Sequence, residues 1–102
     1  DAVRFWKQLY ACFKSKGGDW NALKRAFTQQ QVVAATERNL KSLRVALAVC
    51  GAAPEEDASA SALFRTLSRM LAGELVDWVE LRRLLHAAPA AGAGPQEAAK
   101  TA

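Results

Sequence analysis

The residues that could do chemistry are few, and their spacing matches no catalytic motif. His86 is the only histidine, so a Ser-His-Asp or Cys-His arrangement would have to include it. It ends the last predicted helix, where an imidazole commonly interacts with the helix dipole. Glu55, Glu56 and Asp57 are adjacent in a predicted loop, without the apolar surroundings that separate the pKa values of an acid–base pair. We therefore expect no enzymatic activity.

The two cysteines, Cys12 and Cys50, lie 38 residues apart and belong to no C-x-x-C pair. With a single histidine, the chain has too few soft ligands for a zinc site, and it contains no phosphate-binding or dinucleotide-binding glycine motif. We expect neither a metal nor a cofactor. Both cysteines lie among apolar neighbours in predicted helices, where a thiol acts as a small hydrophobic group. Free thiols in a reducing compartment are the first expectation, and a disulfide is the alternative.

Apolar spacing predicts helices over 2–16, 20–27, 28–50, 59–72 and 77–86. Glycines at 17, 18, 51 and 73 are expected to end helices, and Asp19 and Asp77 to cap helix starts. The third helix begins with the capping-box spacing of Thr28 and Gln31, and a second start at Thr36 would divide it in two. The sequence therefore predicts an all-α protein, a compact bundle of five or six short helices.

Residues 1–88 are expected to form this bundle. Residues 89–102 are rich in Ala, Gly and Pro and cannot offset the entropy of ordering, so they are predicted to be a flexible tail or linker. Residue 1 is Asp rather than Met, and we expect the chain to be a domain of a larger protein or a processed product. The longest apolar run, 45–53, is far shorter than the roughly 20 residues needed to span a bilayer.

An internal similarity relates residues 5–27 to residues 63–85. At an offset of 58 positions, Asp19 and Trp20 align with Asp77 and Trp78, and three leucine or arginine pairs are also identical. The shared unit is an amphipathic helix, a glycine-containing break, an Asp-Trp start and a second short helix. A duplicated hairpin and two hairpins with similar turn chemistry are both consistent with this pattern. Either interpretation predicts packing, since the Asp caps and the Trp fills the helix junction.

Basic residues concentrate in the first half of the chain. Residues 1–51 carry a net charge of +6, whereas residues 52–102 carry a net charge of −2. The basic N-terminal half could bind phosphate, anionic lipid or an acidic protein. It could equally be a solvated face that keeps the domain soluble. Arg4, Lys7 and Lys14 form a basic stripe along the first helix.

Trp6 and Tyr10 lie four residues apart on a flank of the first helix that the apolar core stripe does not use. Tryptophan and tyrosine are enriched at the cores of protein interfaces. The alternative is that the first helix is central and buried on two sides, which would place both residues in the core. We predict a partner-binding site formed by Trp6, Tyr10, Arg4, Lys7 and Lys14. The expected function is a non-catalytic adaptor or assembly domain that presents a helical surface to another protein, as a peptide or a helix. Nucleic-acid binding through the basic N-terminal half is the alternative, and an intracellular location, cytoplasm or nucleus, is expected.

Overall fold

Five α-helices and no β-strand make up the part of the chain that the computed structural model describes, residues 2–28 and 31–88. They are α1 (Ala2–Ser15), α2 (Trp20–Phe27), α3 (Glu37–Val49), α4 (Ala58–Leu71) and α5 (Trp78–Ala87). The predicted all-α class is confirmed, with the lower of the two expected helix numbers. The predicted tail over 89–102 lies outside the described residues.

Carboxylate side chains cap three of the five helix starts. Asp19 accepts a hydrogen bond from the backbone N–H of Ala22 at the start of α2. Asp77 accepts two such bonds at the start of α5, and Asp57 accepts two at the start of α4. First-turn N–H groups have no partner inside a helix, so a carboxylate at this position favours a helix that begins there. The predicted caps at Asp19 and Asp77 are confirmed.

The segment before α3 departs from the sequence prediction. Thr28 closes α2, with its hydroxyl donating to a backbone carbonyl of that helix at 2.9 Å, and Gln31 is not helical. The capping box predicted from Thr28 and Gln31 is therefore wrong. The alternative start at Thr36 is confirmed, because α3 begins at Glu37 and the Thr36 hydroxyl accepts from the N–H of Asn39 at 3.1 Å.

Contacts with α4 hold residues 31–36 out of a helix. The backbone N–H of Ala34 donates to the carbonyl of Leu71 at 2.7 Å, and Val32 is buried. The amide side chain of Asn39 donates to the carbonyl of Ala34 at 2.8 Å. The Leu71 carbonyl lies at the end of α4, where carbonyls lack intrahelical partners. The bond between Ala34 and Leu71, which are distant in the sequence, therefore competes with the local helical pattern here.

Two helical hairpins, α1–α2 and α4–α5, share one pattern of burial. They pack crosswise, since α1 contacts α5 and α2 contacts α4, while α3 contacts both α1 and α4. Residues related by 58 positions lie at equivalent places with at most 1% of their surface exposed: Phe5 and Leu63, Leu9 and Leu67, Phe13 and Leu71, and Leu23 and Leu81. The internal similarity of the sequence thus corresponds to a repeated way of filling the core.

Candidate functional site

Five aromatic side chains form a continuous row across α1, α2 and α5, which we call the aromatic belt. Its rings follow in the order Trp20, Tyr10, Trp6, Phe27 and Trp78, with neighbouring centroids 5.9, 6.2, 3.6 and 5.7 Å apart. All five side chains are half-buried and pack against the core. The belt also contains all three tryptophans of the chain.

Helix geometry and capping place these rings. Trp6 and Tyr10 are four residues apart and therefore lie on the same face of α1. The Asp19 cap makes Trp20 the first residue of α2, next to Tyr10, while Phe27 is the last residue of the same helix. Trp78 is likewise the first residue of α5, but it contacts Phe27 of α2 and so joins the two hairpins.

The two aromatic residues predicted for the site, Trp6 and Tyr10, both lie in the belt. Neither stands on a free helix edge, because α1 packs against α3, α2 and α5. The sequence predicts that Trp20 and Trp78 fill helix junctions, and it singles out no role for Phe27. The sequence signal for the two tryptophans is the repeated Asp-Trp helix start, because it places each indole at a helix junction. Nothing local in the sequence indicated the contact between Phe27 and Trp78.

Basic side chains border the belt on each of its three helices. The Lys14 ammonium lies 4.9 Å from the centroid of the Trp20 ring, a cation–π distance. Lys7 precedes Lys14 by two helical turns and is exposed on the same side of α1. Lys24 and Arg82 each follow a belt tryptophan by four residues on its helix, and both are exposed.

Arg4 is separate from this arrangement. It precedes Trp6 by two residues and, at about 100° per residue, lies about 160° from it around α1. The structure therefore groups Lys7 and Lys14 with the aromatic residues and places the exposed Arg4 side chain on another side of the helix.

The acidic residues nearest the belt are engaged locally. Asp19 and Asp77 cap α2 and α5, and the Glu80 carboxylate pairs with Arg83. Hydrogen bonding to Arg83 lowers the pKa of Glu80, so this carboxylate stays ionised and paired. Burial raises the pKa of the Tyr10 hydroxyl, which is therefore neutral at physiological pH. The exposed basic residues beside the belt therefore outnumber the cap carboxylates, and the local net charge is positive.

A pocket of about 390 Å³ adjoins the belt at Trp78, which lines both. Ala26 and Met70 of the core also line it. Leu75 stands at its edge with 97% of its surface exposed, in the loop between α4 and α5. The pocket is mixed in character, since Gln31 and Glu74 line it together with these apolar side chains.

The residues that could bind a metal do not gather in the part of the chain that the structure describes. Over 2–28 and 31–88, no three His, Cys, Asp or Glu residues cluster so that they could hold a metal ion. His86 is exposed in the last turn of α5. None of the described helices is both long and apolar enough to cross a bilayer. Comparison with protein-family models, curated proteins and solved structures finds no match to this chain.

Proposed function

We propose that this protein is a non-catalytic adaptor or assembly domain whose aromatic belt binds another protein. The proposed partner presents an acidic segment, a peptide or a helix, with a large apolar side chain that enters the pocket beside Trp78. The observation that carries the proposal is the gathering of every tryptophan of the chain, with Tyr10 and Phe27, into one half-buried row bordered by basic residues.

The composition of the belt favours a protein partner. Tryptophan and tyrosine are enriched at the energetic centres of protein interfaces, where they bury large area at low entropic cost. The rings of the belt also hold one another in place, so little freedom remains to be lost on binding. Leu75 and the pocket add an apolar contact at one end.

The charge around the belt supports an acidic partner. Lys7, Lys14, Lys24 and Arg82 are exposed beside it, whereas the nearby acids cap helices or pair with arginine. Such complementarity raises the association rate and disfavours basic partners.

Nucleic-acid binding is the alternative, and the net charge of +6 over residues 1–51 is what favours it. Base stacking on protein requires an aromatic face that is free to receive the base. In the belt, Trp6 lies against Phe27 and Lys14 lies over Trp20, so these faces are already occupied. These contacts compete with base stacking, so phosphate contacts would carry most of any nucleic-acid binding.

The proposal includes an intracellular location, cytoplasm or nucleus. Cys12 and Cys50 are both free thiols. Free thiols persist in reducing compartments, which supports this placement.

A selection from a display library of random peptides tests the function. We expect the wild-type domain to enrich peptides with a large apolar residue between acidic residues. Lys7→Glu with Lys14→Glu should weaken binding of a selected peptide at least tenfold, chiefly through the association rate. Arg38→Glu with Lys41→Glu makes the same change of charge on α3, outside the belt, and should change binding less than threefold.

A single-stranded oligonucleotide measured in parallel separates the two candidate functions. Equal weakening by both charge-reversal pairs, with tighter binding of the oligonucleotide and a steep fall with salt, would favour the nucleic-acid alternative. Preferential loss with the pair on α1, together with the expected peptide sequences, would support the protein-binding proposal.

A further inference from the structure

Two free thiols lie side by side on the flank of α1 that faces away from the aromatic belt. The Sγ atoms of Cys12 and Cys50 are 3.9 Å apart, although the residues are 38 positions apart in sequence. Cys12 is half-buried in the last turn of α1, and Cys50, 1% exposed, is the C-cap residue of α3. These residues, which we call the cysteine pair, therefore bridge the contact between α1 and α3.

We propose that the cysteine pair is a reversible oxidation site, at which a low-molecular-weight disulfide such as oxidised glutathione converts the two thiols into a disulfide that links α1 to α3. The sulfur atoms of a disulfide are about 2.05 Å apart, so the two Sγ atoms must approach by a little under 2 Å. Rotation about the Cα–Cβ bonds can move each Sγ atom further than this. The two sulfur atoms can therefore meet without a shift of either helix.

The reaction proceeds by two exchange steps. The Cys12 thiolate attacks one sulfur of oxidised glutathione, forms a mixed disulfide and releases one glutathione thiolate. Cys50 then loses its proton and attacks the Cys12 sulfur, which expels the second glutathione as a thiolate that takes up a proton. Two thiols and one glutathione disulfide thus become one protein disulfide and two reduced glutathione molecules. The protein loses two electrons and two protons, and glutathione gains them.

The surroundings of the two sulfur atoms assign these roles. Cys12 is the more exposed thiol and can meet a reagent from solution. Burial, and then the adjacent Cys12, raises the pKa of Cys50 to about 12, so its thiol stays protonated at neutral pH. Cys50 therefore acts second, when the mixed disulfide is already beside it. This order predicts slow oxidation, with an intermediate that carries glutathione on Cys12.

The disulfide would stabilise the fold and leave the surface of the aromatic belt accessible. Cys12 follows Tyr10 by two residues and lies about 160° from it around α1. A disulfide between residues 38 positions apart restricts the unfolded chain. The melting temperature of the domain is therefore expected to rise by on the order of 10 °C.

The test incubates the full chain with oxidised and reduced glutathione, blocks remaining thiols with iodoacetamide and measures the intact mass and the melting temperature. We expect a monomer that has lost two hydrogen atoms, carries neither alkyl group nor glutathione, and melts at higher temperature. Addition of dithiothreitol should restore both thiols and the lower melting temperature.

Two variants test the assigned order. Cys50→Ser should accumulate a stable glutathione adduct on Cys12, whereas Cys12→Ser should stay unmodified while folded. Should either variant fail to fold, the wild-type masses still decide. Persistent adducts, disulfide-linked dimers or unreacted thiols in the wild type would overturn the proposal, as would an internal disulfide with no gain in melting temperature.

Discussion

The ring of Phe27, the last residue of α2, packs at a tilt of 32° against the indole of Trp6, with their centroids 3.6 Å apart. This contact joins the aromatic residues of α1 to Trp78 of α5, because Phe27 also meets that indole. The same side chains therefore hold three helices together and form the proposed binding surface. Positions that serve both purposes are poor targets for alanine substitution, which would disturb folding and binding at once.

Equivalent core positions in the two hairpins are expected to contribute equally to the free energy of unfolding. Leu9→Ala and Leu67→Ala remove side chains with no exposed surface at equivalent places in the two hairpins. Each should lower the free energy of unfolding by roughly 2–5 kcal/mol, as a cavity is left behind. Leu75→Ala is the matched control, since 97% of that leucine is exposed, and it should change stability little. Urea titrations measure all three, and a large loss from Leu75→Ala would contradict the described loop.

Removal of the carboxylate caps should destabilise both hairpins. Asp77→Ala leaves two first-turn N–H groups of α5 without their acceptor, and Asp19→Ala does the same to one in α2. Each substitution should cost about 1 kcal/mol in the free energy of unfolding. Glu56→Ala, in the loop before α4, removes an exposed carboxylate that caps no helix and serves as the control. Thermal melts that do not distinguish the cap variants from this control would argue against the caps.

Local chemistry in the sequence predicts most of the helix ends. Asp19 and Asp77 start their helices as expected, and Gly17 and Gly73 follow helix ends with positive φ. The error at residues 28–36 has a physical cause. Thr28 and Thr36 both suit a helix start, but the backbone bond from Ala34 to Leu71 joins residues that are far apart in the sequence, and no local pattern contains it.

The candidate site could be predicted only in part. The spacing of Trp6 and Tyr10 placed them together on one flank of α1, and this is where they lie. The remaining belt residues come from α2 and α5, and their approach depends on the crosswise packing of the hairpins. Cys12 and Cys50 likewise meet only because α3 lies along α1.

Two glycines with similar backbone angles should respond differently to alanine. Gly17 and Gly73 have φ values of +90° and +85°, which strain any residue with a Cβ atom. At Gly73 a Cβ would lie 2.6 Å from the carbonyl oxygen of Val32, whereas at Gly17 its nearest neighbour is the Arg38 side chain at 3.5 Å. Gly17→Ala should cost about 1 kcal/mol and Gly73→Ala at least about twice that. Equal melting temperatures would contradict the close approach of the Val32 backbone to Gly73.

The pH dependence of stability should reflect Cys50. Burial, followed by the neighbouring Cys12, raises its pKa from 9.0 to about 12. As pH rises above 9.0, the unfolded thiol loses its proton while the folded thiol keeps it until about 12, so unfolding becomes more favourable across this window. Under reducing conditions, the free energy of unfolding should fall more steeply with pH for the wild type than for Cys50→Ala. Parallel curves from about pH 8 to about pH 11 would contradict the raised pKa.

The three indole N–H groups provide the most direct test of the belt as a binding surface, because Trp6, Trp20 and Trp78 all belong to it. A two-dimensional ¹H–¹⁵N NMR spectrum resolves one indole signal for each tryptophan. The measurement is a titration of the folded domain with a peptide selected from the display library. We predict that the indole signals and the amide signal of Leu75 shift and saturate together, while the amide of Lys41 on α3 does not move. Saturating shifts confined to α3 and α4, with all three indole signals unchanged, would contradict the proposed function.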